Sequence, residues 1–184
     1  YVRSSEGHTQ AAWRAAVKRG DVFVTSGPAI LLSVNNESPG ATVRLPAGGG
    51  VVNVVAQLAS SETQESLELI VNGKVNARAE QPLKRLNITG NVRINHSSWV
   101  AVRGRGRRIP ALNQQEVAHS GAVRVLVGDE PIWDEPTAAE LRSRLKAQKK
   151  LYAEQGRYPD DEARARMLGL FDDALRRLET EPRP

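Results

Sequence analysis

Asn72-Gly73 stands between two runs of alternating side chains, SLELIV before it and KVNARA after it. A type I′ turn needs positive φ at both central residues, which Asn-Gly supplies, and that turn joins neighbouring antiparallel strands. Leu67, Leu69 and Val71 fall on one face of the incoming strand. The middle of the chain is thereby committed to antiparallel sheet.

The same period of two recurs through residues 21–133. DVFVTSGP reads as a short strand stopped by Gly-Pro. Ile30, Leu32 and Val34 share a face, as do Val52, Val54, Ala56 and Leu58. LPAGGG between these runs reads as a hairpin loop, since it lacks the Lys-Ser/Thr of a phosphate-binding loop and opens a strand. Leu86 and Ile88 precede Gly90, and Val92 and Ile94 follow it; SSWVAVRG and GAVRVLVGDEP add two more strands. Seven or eight short strands with regular turn signals and no helical crossovers predict a mostly β, immunoglobulin-like antiparallel β-sandwich over 21–135.

Helical periodicity flanks the sheet. HTQAAWRAAVKRG predicts a short N-terminal helix capped by Thr9 and stopped by Gly20, with Ala12, Trp13, Ala16 and Val17 on one face. Residues 136–179 predict a C-terminal α-helical hairpin. Thr137 with Glu140 forms a capping box for its first helix, whose face carries Ala138, Leu141, Leu145 and Tyr152. The second helix carries Ala163, Met167, Leu170, Phe171, Ala174 and Leu178. Residues 180–184 are expected to be a disordered tail.

Core material is aliphatic: apolar residues make up 40% of the chain but aromatics only 4%. Twenty-six basic and 21 acidic residues give a net charge of +5, which bears on solubility and not on fold. With no cysteine, disulfides, thiolate nucleophiles and Cys-based zinc sites are excluded. No apolar run is long enough to span a bilayer as a helix. The chain opens mid-pattern at YVRSSEG, as a segment cut from a longer protein would.

Chemistry-bearing motifs are few. His8, His96 and His119 occupy none of the H-x-H, H-x-x-x-H or H-E-x-x-H spacings of metal sites, and each reads as a structural histidine. No G-x-S-x-G elbow is present. Asn36, Asn87 and Asn95 begin glycosylation triplets that matter only in a eukaryotic secretory setting. GRGRR, with Arg103 just before it, offers guanidinium forks for phosphate, yet only Trp99 is near enough to stack a base. Nucleic acid is therefore not the expected partner, and the arginines beyond Gly104 read as the start of a surface loop.

The order of Phe23-Val24-Thr25-Ser26-Gly27-Pro28, Val71-Asn72-Gly73, Ser98-Trp99 and Ala118-His119-Ser120, followed by the helical hairpin, resembles the C-terminal part of CehA/McbA-type metallohydrolases of the polymerase-and-histidinol-phosphatase superfamily. The resemblance runs over most of residues 8–179. Ser26 stands where the family often has Asn, and Gly121 where it often has Pro.

The resemblance implies that residues 1–20 are the last segment and helix of a preceding hydrolase domain and that FVTSGP is the crossing into an accessory sandwich. Divalent metals would then belong to that hydrolase domain alone, leaving this chain without cofactor, metal ligands or catalytic set. Its partners would be that domain and, through exposed apolar surface, further copies of itself; an extracytoplasmic bacterial setting is favoured. Candidate interface residues are Trp13, Thr25, Ser26, Gly27, Pro28, Arg103, His119 and Ser120. The alternative function is a ligand- or protein-binding immunoglobulin-like module for a carbohydrate or envelope partner.

Overall fold

In the computed structural model the described residues are 1–3, 7–109 and 114–180. Thr180 closes the last helix; the rest of the expected disordered tail, 181–184, lies outside the described residues. The chain divides into two compact units, Tyr1–Glu130 and Pro131–Pro184.

The first unit opens with α1 (Gln10–Arg19). Thr9 Oγ1 accepts from Ala12 N at 3.2 Å, and Gly20 ends the helix in the left-handed conformation. Ala12 and Ala16 are buried, whereas Trp13 and Val17 turn outward. The four residues expected on one face thus divide by size.

Nine strands follow among the described residues: β1 (Phe23–Thr25), β2 (Ala29–Val34), β3 (Thr42–Leu45), β4 (Gly50–Val71), β5 (Lys74–Ala79), β6 (Leu83–Ile94), β7 (Ser98–Ile109), β8 (Gln114–Ser120) and β9 (Val123–Val127). They form an open, immunoglobulin-like antiparallel β-sandwich in which, among the described residues, only β3 and β9 pair in parallel.

β4 belongs to both layers. Its first half pairs with β2 and β6, and its last residues pair with β5 and β7. The alternation suggested two strands here, separated by the polar run Ser60–Glu65. The structure joins them into one strand of 22 residues. Straight, it would extend about 70 Å; instead the ladders shift register around Gln64, which is opposite both Leu83 and Gly106. Bulges of this kind bend a strand without ending its pairing.

β7 also departs from expectation. It continues to Ile109, so Arg105, Arg107 and Arg108 lie on a strand and not in a loop. The glycines account for this. A Cβ on Gly104 would lie 1.9 Å from Leu58 Cδ1 and 3.8 Å from Ile30 Cδ1, both in the opposite layer; one on Gly106 would lie 2.6 Å from Gln64 Oε1. Val102, Gly104 and Gly106 therefore face inward, and Arg103, Arg105 and Arg107 outward. The arginine-glycine run is an inside–outside alternation whose inward positions have no room for a side chain.

A single core cluster unites Ile30, Leu32 and Val34 with the even positions Val52 to Leu58, and with Leu67, Leu69, Val100, Val102, Val123, Val125 and Val127. Asn72 and Gly73 take φ of 47° and 79°, as the turn requires. The loop before β4 is not a hairpin, because β3 pairs with β9; it carries the chain from one layer to the other.

In the second unit, α2 (Glu135–Gln155) and α3 (Asp161–Thr180) pack as an antiparallel hairpin. Arg142 donates to Leu178 O, Lys149 pairs with Asp172, and the Tyr152 and Phe171 rings lie 5.5 Å apart. α2 starts earlier than the Thr137 capping box implies. Asp134 is the N-cap, its Oδ2 accepting from Thr137 N at 3.0 Å, with proline in the first turn. On α3 the expected face is rotated: Leu168, Phe171, Leu175 and Leu178 are partly buried, while Met167 and Leu170 are exposed.

Glu135 is bonded by Arg142 and by Trp133 Nε1, and these bonds hold its carboxyl below the usual carboxylate range. Because the folded-state value is depressed, the stabilisation is present above the unfolded carboxylate pKa and is lost as pH falls through the folded value. Glu135→Gln should flatten the acid side of the hairpin's helical circular-dichroism profile and leave the neutral-pH signal nearly unchanged. Gly104→Ala should destabilise the sandwich by about 1–3 kcal/mol, as overpacked core positions do, read from the shift of its urea midpoint.

Candidate interaction surface

The outer face of the second layer carries a row of residues set across five strands. Register places Arg78 of β5 beside Glu68 of β4, Glu68 beside Arg103 of β7, Arg103 beside His119 of β8, and His119 beside Val24 of β1. Glu68 is buried, and both arginines hold it. Arg103 reaches its Oε2 through Nε at 2.8 Å and through a terminal nitrogen at 2.6 Å, and Arg78 Nε lies 3.5 Å from Oε1. A carboxylate at this depth requires such pairing.

One step along, Ser66 stands opposite Arg105, and Arg105 opposite Val117. Ser26 joins this second row: its Oγ accepts from Val117 N at 2.9 Å, and its own N–H donates to Val117 O at 2.9 Å. Val24 is 73% exposed and Val117 45% exposed, diagonal neighbours on one face. Two valines, a histidine and two arginines thus share the surface of β1, β8 and β7.

Beneath it lies a buried polar pair. Gln64 Nε2 donates to Glu116 Oε2 at 2.7 Å, while Gln64 Oε1 has no hydrogen-bond partner among the described residues and lies over Gly106. A Cβ on Gly27 would fall 2.6 Å from Glu116 Oε1. Thr25 Oγ1 accepts from Gly27 N at 2.9 Å and donates to Pro28 O at 2.6 Å, which fixes the turn. The TSGP segment is therefore shaped to seat Glu116.

The residues singled out from sequence divide accordingly. Ser26, Arg103 and His119 sit on the outer face; Thr25 and Gly27 build its rim. Pro28 is buried. Ser120 Oγ is buried and accepts from Val102 N at 3.0 Å, which ties β8 to β7. Trp13, 53% exposed, lines a cavity of about 260 Å³ with Val2, Gly7, His8 and Thr9. Sequence reasoning missed Val24, Val117, Glu68 and Glu116. Val24 and Val117 read as ordinary strand residues until the pairing of β1 with β8 sets both outward.

The four segments behind the family resemblance meet in pairs. Asn72 Oδ1 accepts from Trp99 N at 2.9 Å and its Nδ2 donates to Ser98 Oγ at 3.1 Å. The Phe23–Thr25 strand pairs with Ala118–Ser120. Among the described residues, no three His, Cys, Asp or Glu side chains are grouped to hold a metal, and no helix is long and apolar enough to cross a membrane.

No protein-family model matches the chain, and no curated protein matches it. A neutron crystal structure of a lytic polysaccharide monooxygenase from Jonesia denitrificans is similar at a TM-score of 0.35 and 13% identity, over 68% of this chain and 87% of that one. A likeness at that level carries no functional argument.

Arg103→Ala should cost about 2 kcal/mol, below the range for fully buried pairs because Arg103 is partly exposed and Arg78 remains on Glu68. Arg103→Lys should recover little of it, since one ammonium cannot replace the two-nitrogen contact. Urea unfolding of the two variants measures both effects.

Proposed function

We propose that the chain is a non-catalytic accessory sandwich that docks on the metal-dependent hydrolase domain of a longer protein through the outer face of β1, β8 and β7. The observation that carries this reading is the pair Val24 and Val117, exposed side by side and flanked by His119 and Arg105. Exposed aliphatic side chains grouped with polar neighbours mark association surfaces. The resemblance supplies the partner: a hydrolase domain that holds the divalent metals and carries out the hydrolysis.

In this reading the sandwich shapes and stabilises the edge of the hydrolase site. Gly27, Glu116 and Gln64 hold the rim from behind, so that Ser26 and Val117 keep fixed positions on the surface. Arg103 is already committed to Glu68, leaving Arg105 and His119 to meet the partner. Docking buries the valines and gives affinity; the polar neighbours fix orientation.

Calorimetric titration of the parent's hydrolase domain with this chain should show binding that Val24→Asp and Val117→Asp each reduce at least about tenfold, one fully buried aliphatic being worth that much. The chain alone, supplied with manganese or zinc, should hydrolyse no phosphoester. Undiminished binding by both variants, or metal-dependent turnover that disappears in His119→Ala, would overturn the reading.

A further inference from the structure

Val71-Asn72-Gly73 and Ser98-Trp99 take no part in the docking face, yet they hold each other. Asn72 N donates to Trp99 O at 3.1 Å, and Trp99 N donates to Asn72 Oδ1 at 2.9 Å. Asn72 Nδ2 donates to Ser98 Oγ at 3.1 Å, and Ser98 Oγ donates in turn to His96 O at 2.8 Å. Ser98 is buried, so the clasp is fixed at its β7 end. The Asn72 carboxamide is thereby turned toward β7, with both of its polar atoms in use.

A glycine follows this asparagine, and Asn72-Gly73 is the only Asn-Gly pair in the chain. An asparagine carboxamide is open to attack by the backbone nitrogen of the next residue. A following glycine leaves that nitrogen uncrowded, because it carries no Cβ. Gly73 is exposed, and beyond its chain neighbours nothing lies within 4 Å of its Cβ position. Water therefore reaches the turn.

We propose that Asn72-Gly73 is a self-modification site, a turn that deamidates to isoaspartate at a rate set by the Ser98–Trp99 clasp. Gly73 N bonds to Asn72 Cγ, the Cγ–Nδ2 bond breaks, and Nδ2 leaves as ammonia with the Gly73 proton. The cyclic imide then takes up water. Opening at the Asn72 main-chain carbonyl gives isoaspartate, and opening at Cγ gives aspartate. The net change is amide plus water to carboxylic acid plus ammonia, with no oxidant or cofactor.

While both clasp bonds hold, Cγ cannot turn to meet Gly73 N. Releasing them gives up two hydrogen bonds, which lowers the reactive population roughly thirtyfold at the usual net strength of such bonds. Isoaspartate adds a methylene to the main chain of a turn whose φ values are 47° and 79°. The new carboxylate also lacks the Nδ2 donor that held Ser98 Oγ. Both changes loosen the β4–β5 turn from β7.

Incubation at mildly alkaline pH, followed by peptide mapping that separates isoaspartate from asparagine, tests the proposal. In urea, Asn72 should convert before any other asparagine. In the folded chain it should convert at least about tenfold more slowly than in urea. Ser98→Ala removes the acceptor of Nδ2 and should speed conversion in the folded chain about fivefold, the worth of one hydrogen bond. Ser98→Cys, closer in volume and a weaker acceptor, should also speed it, and serves where alanine at that buried position prevents folding. Another asparagine converting first in urea, equal rates at Asn72 in urea and in the folded chain, or a folded Ser98 variant no faster than the unaltered chain would overturn the proposal.

Discussion

Everything in the sandwich depends on one strand serving two layers. β4 gives its first half to β2 and β6 and its last residues to β5 and β7. Where it crosses, around Gln64, two ladders shift register and buried polar groups collect on both faces of the layer: Gln64 and Glu116 on the inner side, Ser66 and Glu68 on the outer. Buried polar groups need partners. Gln64 and Glu116 find each other, and Glu68 finds Arg103 and Arg78. The crossing therefore decides where the arginines of β7 must point.

That geometry links sequence to surface. Gly104 and Gly106 are inward positions pressed against Leu58 and Gln64, so their neighbours Arg103 and Arg105 are outward by pleat alone. The same constraint seats Glu116 under Gly27, and Gly27 closes the turn that sets Ser26 beside Val117. The proposed docking face follows from packing requirements on the other side of the sheet.

Much of the fold was legible from period and turn chemistry. Ile30, Leu32 and Val34, and Val52 through Leu58, are buried on the expected faces, and Asn72-Gly73 turns as its residues dictate. The fusion of two strands through Ser60–Glu65 was not legible, because a polar run looks like a loop unless strands on either side supply ladder partners. Arginines flanking glycines look like a loop for the same reason; the contact with Leu58 that makes glycine necessary is 46 residues away in sequence. Likewise the exposure of Val24 and Val117 follows from a pairing between residues far apart in the chain, which local pattern cannot encode.

Hydroxyl-radical footprinting of this chain alone and together with the proposed hydrolase domain tests the central claim most directly. Docking through β1, β8 and β7 predicts that oxidation of His119, Val24 and Val117 falls when that domain is present, while that of Leu31 and Val51 on the opposite layer does not change. Equal oxidation of His119 and the two valines with and without that domain, or protection confined to the opposite layer, would contradict it.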